Sequence, residues 1–315
     1  MERRIIIDPF ESACSNDAMP LPKLTDDALV KRLRWVMLGV ILFSILNTLA
    51  GQPASFWANP QTAMRGDGLS VDNATNHTFD FFLGHGWQPY LLSSLAYASV
   101  ALLVVSYLPR FAALTTIFAV IFGHFYGSNN WLVVRWNIGF TGSTVYSIFL
   151  AAVIVLTTFS FPETSNEQVC KHLRWIMIAV MAFDFINTLI GQPASFWVDP
   201  KTCHEGNQFV RLFLSHGWWA YALLDLGYFV GAFRLVSALR GRIGLICVFS
   251  FIFIHFVGAS NWFFYEWRLG MEAPVAFGAL LSTAVVRVAF RHRQEMNLRR
   301  CAAPGPLGKL CSGLG

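Results

Sequence analysis

Apolar residues come in eight long runs along this chain, at about 34–52, 88–107, 111–128, 139–160, 174–192, 219–237, 243–260 and 271–290. A bilayer core of about 30 Å takes roughly 20 mostly apolar residues as helix, so each run predicts one membrane-spanning helix. Both ends of the chain are polar and basic. Residues 1–30 carry Pro9, Pro20 and Pro22 and no early apolar run. A cleavable signal peptide is therefore not expected, and the first helix serves as its own insertion signal.

The runs fall into two sets. Leu33-Arg34-Trp35 recurs at 173–175, an offset of 140, and so does the block Asn47-Thr48-Leu49 with Gly51-Gln52-Pro53-Ala54-Ser55-Phe56-Trp57, at 187–189 and 191–197. The offset then drops to 131: His85-Gly86-Trp87 matches His216-Gly217-Trp218, and His124-Phe125, Gly127 and Asn130-Trp131 match His255-Phe256, Gly258 and Asn261-Trp262. The first copy thus has the longer loop between its first and second helices. Self-similarity in this order predicts an all-α, polytopic membrane protein with eight transmembrane helices as two parallel tandem four-helix units. An even helix number sends both copies into the membrane in the same direction, with a pseudo-two-fold axis along the membrane normal. The expected boundaries are a cytoplasmic tail at 1–32, a first repeat at 33–162, a second at 163–291, and a basic, disordered tail at 292–315.

Composition agrees with lipid as the solvent. Hydrophobic residues make up 55% of the chain and charged ones 13%, against about 25% charged in soluble domains, and mean hydropathy is +0.50. With both termini in the cytoplasm, inner segments hold 18 of the 23 Lys and Arg; only Arg65, Arg135, Lys201, Arg211 and Arg268 fall outside. This is the positive-inside pattern. It makes the net charge of +5 a report of topology and anionic-lipid contact rather than of nucleic-acid binding. A plasma membrane or bacterial inner membrane is the expected location. Cys14, Cys170, Cys203, Cys247, Cys301 and Cys311 include no CxxC pair, so neither a disulfide framework nor a thiolate metal site is expected.

Candidate chemistry gathers at the outer ends of the helices. The Gly-Gln-Pro block ends the first helix of each unit, where Gly51, Pro53 and Pro193 break it; His-Gly-Trp opens the second; and His-Phe-x-Gly-x-x-Asn-Trp closes the third. One layer then holds Asn47, Gln52, Ser55, His85, His124 and Asn130 in the first copy. The second copy supplies Asn187, Gln192, Ser195, His216, His255 and Asn261. Each residue type also has a structural use: Trp anchors at headgroups, Asn and Ser cap helices, and His covers terminal carbonyls. A whole layer of them from several helices favours ligand binding. The copies differ below the layer, where Asp184 replaces Ser44 and Asp225 replaces Ser94. Each acid lies roughly 10 Å inside its helix end at 1.5 Å per residue, a costly place for a charge unless it faces a cavity or a partner.

Three function classes fit. The first binds or transports a small molecule or ion through the polar layer, with the second unit as the first place to look. The second is a membrane oxidoreductase or other enzyme with metal or haem on His85, His124, His216 and His255, although no HxxxH spacing and no carboxylate in the layer supports it. The third is a non-catalytic subunit whose 29 Phe and 11 Trp contact lipid, pigment or a membrane-protein partner. Arg135 and Glu266, at equivalent outer positions, are a candidate rim pair across the units. Asn73-Ala-Thr75 and Asn76-His-Thr78 read as glycosylation sequons. No P-loop, GxSxG or HExxH occurs, so ATP coupling within the chain is not expected.

Overall fold

The computed structural model describes residues 26–63, 77–159 and 163–302, so the first sequon and the acceptor Asn76 of the second lie outside the described residues. Every described element is helical. In chain order these are α1 (Asp26–Ala50), α2 (Ala54–Ala58), α3 (His77–Gly84), α4 (Trp87–Tyr107), α5 (Arg110–Asn130), α6 (Gly139–Thr158), α7 (Glu163–Ile190), α8 (Gln208–Leu214), α9 (Trp218–Ala238), α10 (Gly241–Asn261) and α11 (Glu272–Ala302). Eight of them, α1, α4–α7 and α9–α11, are long and apolar enough to cross a membrane, and they coincide with the eight apolar runs. Leu92, Leu103, Phe149 and Leu223 each stand more than half exposed on these helices. Such a rind of bare hydrocarbon fits an integral membrane protein with lipid around it. The helix α11 continues past the expected boundary at residue 291 to Ala302.

The helix ends follow from local chemistry. The first helix stops at Ala50 and α7 at Ile190, one residue before Gly51 and Gly191. A side chain at either glycine would strike an indole: Trp131 lies over Gly51, and Trp262 over Gly191. That contact explains why the Gly-Gln-Pro and Asn-Trp blocks occur together. Gly86 and Gly217 take positive φ, 118° and 109°, in the turns that open α4 and α9, a conformation that selects glycine. After α5 and α10 come π-helical turns, Trp131–Arg135 and Trp262–Glu266, closed by Trp136 N–H to Trp131 O (3.1 Å) and Trp267 N–H to Trp262 O (3.0 Å). At the opposite ends, arginines cover open helix carbonyls. Arg34 donates to Val105 O at 3.1 Å and Arg242 to Phe159 O at 3.1 Å.

The packing centres on α5 and α10, which bury the largest share of their surface, while α4 and α9 bury the least. The helix α5 lies against α1 and α11, and α10 against α7 and α6. The fourth helix of each stretch therefore packs on the third helix of the other. Between the central pair, aromatic rings interlock: Phe122 meets Phe253 at 4.9 Å and Phe256 at 4.8 Å, and Phe125 meets Phe253 at 4.8 Å. In lipid, expulsion of water does not drive helices together, so close dispersion contact of this kind carries the association.

Candidate functional site

The deepest polar contacts lie between α7, α9 and α10. Asp184 Oδ2 accepts from His255 Nδ1 at 2.8 Å, and His255 Nε2 meets the Tyr228 hydroxyl at 3.3 Å. The side chains of His255 and Asp184 are only 13% and 17% exposed, so the pair is largely shielded from bulk solvent. A carboxylate can only accept, so Nδ1 carries a proton and Nε2 is free to accept the Tyr228 O–H. In this state the pair carries one negative charge, which the bond from the imidazole N–H to the carboxylate partly offsets. This lowers the cost of keeping two ionisable groups in the membrane. The three side chains form a relay from Asp184 to Tyr228, whose ring is 38% exposed.

Asp225 joins the same group. It stands on α9 one turn from both Tyr221 and Tyr228, with Asp184 and His255 close by. Tyr221, Asp225 and Tyr228 are spaced four and three apart along α9, which puts all three on one helix face. That spacing was available in the sequence as a signal for the two tyrosines, neither of which the motifs singled out.

Above this group the segment after α7 folds back. Gln192 and His204 exchange two bonds, Gln192 Nε2 to His204 O at 2.9 Å and His204 N–H to Gln192 Oε1 at 2.8 Å. His204 Nδ1 reaches Glu266 Oε1 at 3.1 Å. Next to it, burial pushes the Glu205 carboxyl up to about 7, with the charge of Asp184 adding to the rise; the Asn207 N–H, 2.8 Å from Oε1, opposes it. Glu205 and His204 are functional candidates absent from the motif reading, which named Gln192 alone, because only the fold-back brings His204 onto Gln192 and Glu205 near Asp184.

The remaining layer residues separate. Asn47 donates from Nδ2 to Ser128 O (3.0 Å) and accepts from Trp136 Nε1 (2.8 Å), which ties α1 to α5 and to the turn beyond it. Its counterpart Asn187 is 2% exposed, yet its Nδ2 has no partner. Asn261 Oδ1 is likewise buried without a partner, and Asn130 is buried at the end of α5. Gln52 donates to Thr48 O at 3.2 Å. Ser55 is exposed, as is Ser195, which accepts from Thr202 Oγ1 at 3.0 Å.

The four histidines do not act alike. His85 and His216 are exposed and turn back on their own short helices, with Nδ1 donating to Phe81 O (2.7 Å) and Leu212 O (2.8 Å). Both are caps. His124 packs on Tyr97 with ring centres 5.5 Å apart, the same arrangement as His255 on Tyr228 at 5.6 Å, but the first copy has Ser44 where Asp184 stands. Among the described residues, no three His, Cys, Asp or Glu side chains converge to hold a metal ion. The rim pair expected between Arg135 and Glu266 is replaced by other partners: Arg135 Nε donates to Gly51 O, closing the end of α1, and Glu266 takes His204. Comparison with protein-family models, curated proteins and solved structures gives no match.

Proposed function

We propose that this chain is an integral membrane protein of two parallel four-helix halves, whose second half binds or transports a small molecule or ion in a proton-linked manner. Pseudo-two-fold organisation is supported by contacts between equivalent residues. Phe118 stacks on Phe249 and Phe122 meets Phe253 at a tilt, each pair 131 positions apart. The cross pairs Phe122–Phe256 and Phe125–Phe253 have matching separations of 4.8 Å. Self-complementary contacts of that kind are what a two-fold axis between α5 and α10 produces. Matched backbone conformations, Asn137 with Arg268 at φ 49° and 53°, add to it. In the proposed topology both termini are cytoplasmic, in a plasma or bacterial inner membrane.

The observation that carries the functional reading is the Asp184–His255–Tyr228 relay with Asp225 beside it. Ionisable groups at membrane depth mark ion pathways, proton relays or ligand counter-charges. Here they stand only where the repeat has diverged, so scaffold alone does not require them. The first half keeps the same His–Tyr pair without either acid. The unpartnered Asn187 Nδ2, one turn from Asp184 on α7, supplies a donor for an acceptor group on the ligand.

A panel of inorganic cations, amines and carboxylates, screened by thermal stabilisation of purified protein in nanodiscs on both sides of neutral pH, tests this reading. At least one compound should stabilise the wild type with a pH dependence that Asp225→Asn alters and Asp184→Asn removes. A pH profile that both variants leave unchanged would eliminate proton linkage at this site.

A further inference from the structure

The first half carries a feature of its own, on a different face and independent of the relay. Between α1 and α6 lies a groove of about 520 Å³ whose walls are almost entirely hydrocarbon. Along α1 it runs past Arg32, Trp35, Gly39 and Phe43; Tyr146 and Thr157 of α6 stand at its two ends. The helices are antiparallel here, so Arg32 and Thr157 share one end of the groove and Phe43 and Tyr146 the other. From Arg32 to Phe43 the helix rises roughly 16 Å at 1.5 Å per residue. That is about half of a 30 Å hydrocarbon core, the depth of one leaflet.

Each end matches a part of a phospholipid. Arg32 is an exposed cation at the start of the first span, where Trp35, 67% exposed, is placed as an interfacial aromatic. The inward end has no ionisable group except the phenol of Tyr146. Midway, the position of Gly39 is open, with no atom within 4 Å of where a Cβ would sit. The second half does not repeat these features: His172, Ala179 and Val288 replace Arg32, Gly39 and Thr157. The basic group, the gap and the hydroxyl are thus a property of the first half alone.

We propose that this groove holds one acyl chain of an anionic phospholipid, with the lipid phosphate on Arg32. Charge complementarity sets the headgroup class, because a basic residue beside a spanning helix attracts anionic lipid. The open flank at Gly39 sets the width for the chain.

Purified protein in detergent, titrated with phosphatidylglycerol, phosphatidylcholine and free glycerol phosphate and read by native mass spectrometry, tests the assignment. Phosphatidylglycerol should bind at least about tenfold more tightly than phosphatidylcholine, and Arg32→Gln should remove that preference. Gly39→Leu should weaken both lipids at least about tenfold. It fills open space with a better helix former, so its helical content should match the wild type. Unchanged lipid binding in Gly39→Leu, a preference that survives Arg32→Gln, or displacement of lipid by glycerol phosphate would each overturn it.

Discussion

Two glycines at equivalent positions give opposite expectations for the same substitution. Gly127 has no atom within 4 Å of a Cβ position, whereas at Gly258 the Cβ would stand 2.5 Å from Asp184 Oδ2 and 2.7 Å from Oδ1. Alanine in a helix interior is favoured over glycine by about 1 kcal/mol, so Gly127→Ala should stabilise by roughly that amount. At Gly258 the same gain is opposed by overpacking, about 1–3 kcal/mol. Displacing the carboxylate also strains its bond to His255, and a hydrogen bond to a charged group is worth about 1.5–3 kcal/mol. Gly258→Ala should therefore destabilise by about 1–3 kcal/mol, and the two variants should differ by roughly 2–4 kcal/mol. Equilibrium unfolding in mixed detergent micelles measures both. Nitrogen chemical shifts of His255 report whether Nδ1 has lost its acceptor. Equal stability changes at the two glycines, or an unaltered His255 spectrum in Gly258→Ala, would refute the close placement of Asp184 against α10.

The other predictions come from the same asymmetries. Ser44→Asp should build a second carboxylate–imidazole pair on His124 with less than about 1 kcal/mol of destabilisation, since the flank at Gly127 is open; unperturbed His124 resonances would count against it. Asn47→Leu strands Trp136 Nε1 and the Ser128 carbonyl and should cost about 2–4 kcal/mol, while Asn187→Leu, whose Nδ2 has no partner, should be close to neutral in unfolding titrations. If Asn187 serves the ligand, that variant should lose the stabilisation found for the wild type while keeping its fold. Glu205, raised from 4.5 to about 7 by burial, takes up a proton more readily folded than unfolded. Its contribution is thus full below about pH 4.5 and is lost as pH rises to about 7. Hydrogen exchange in the 199–207 segment, corrected for intrinsic rates, should accelerate across that window. Glu205→Gln should flatten the response, and a profile unaffected by that change would remove Glu205 as its cause.

How much was legible in the sequence depended on the range of the interaction. Apolar runs of bilayer length, glycines with positive φ and prolines after Gly51 and Gly191 act within a few residues of themselves. The eight spans and their outer ends could therefore be read directly, and so could Asp184 and Asp225, because a charge within an apolar run is conspicuous. Pairings between distant residues could not. Both histidine pairs sit in the same motifs, yet two members are helix caps, one rests on a tyrosine, and one meets a carboxylate, because only the approach of α7 to α10 puts Asp184 Oδ2 beside His255. Arg135 and Glu266 read as a pair because they are equivalent and opposite in charge, but short-range geometry gave each a nearer partner.

Order along the chain also fell short of order in space. The repeat boundaries do not say which helices meet, and in space α6 packs on α10 and α11 on α5. Nothing in an apolar span names its neighbour, since lipid accepts every hydrophobic face equally and only shape decides which helices meet. Sequence alone determined that eight spans exist, where their outer ends lie and which of them carry charge. The tertiary structure decided which charges touch, because that depends on the few ångströms between packed helices.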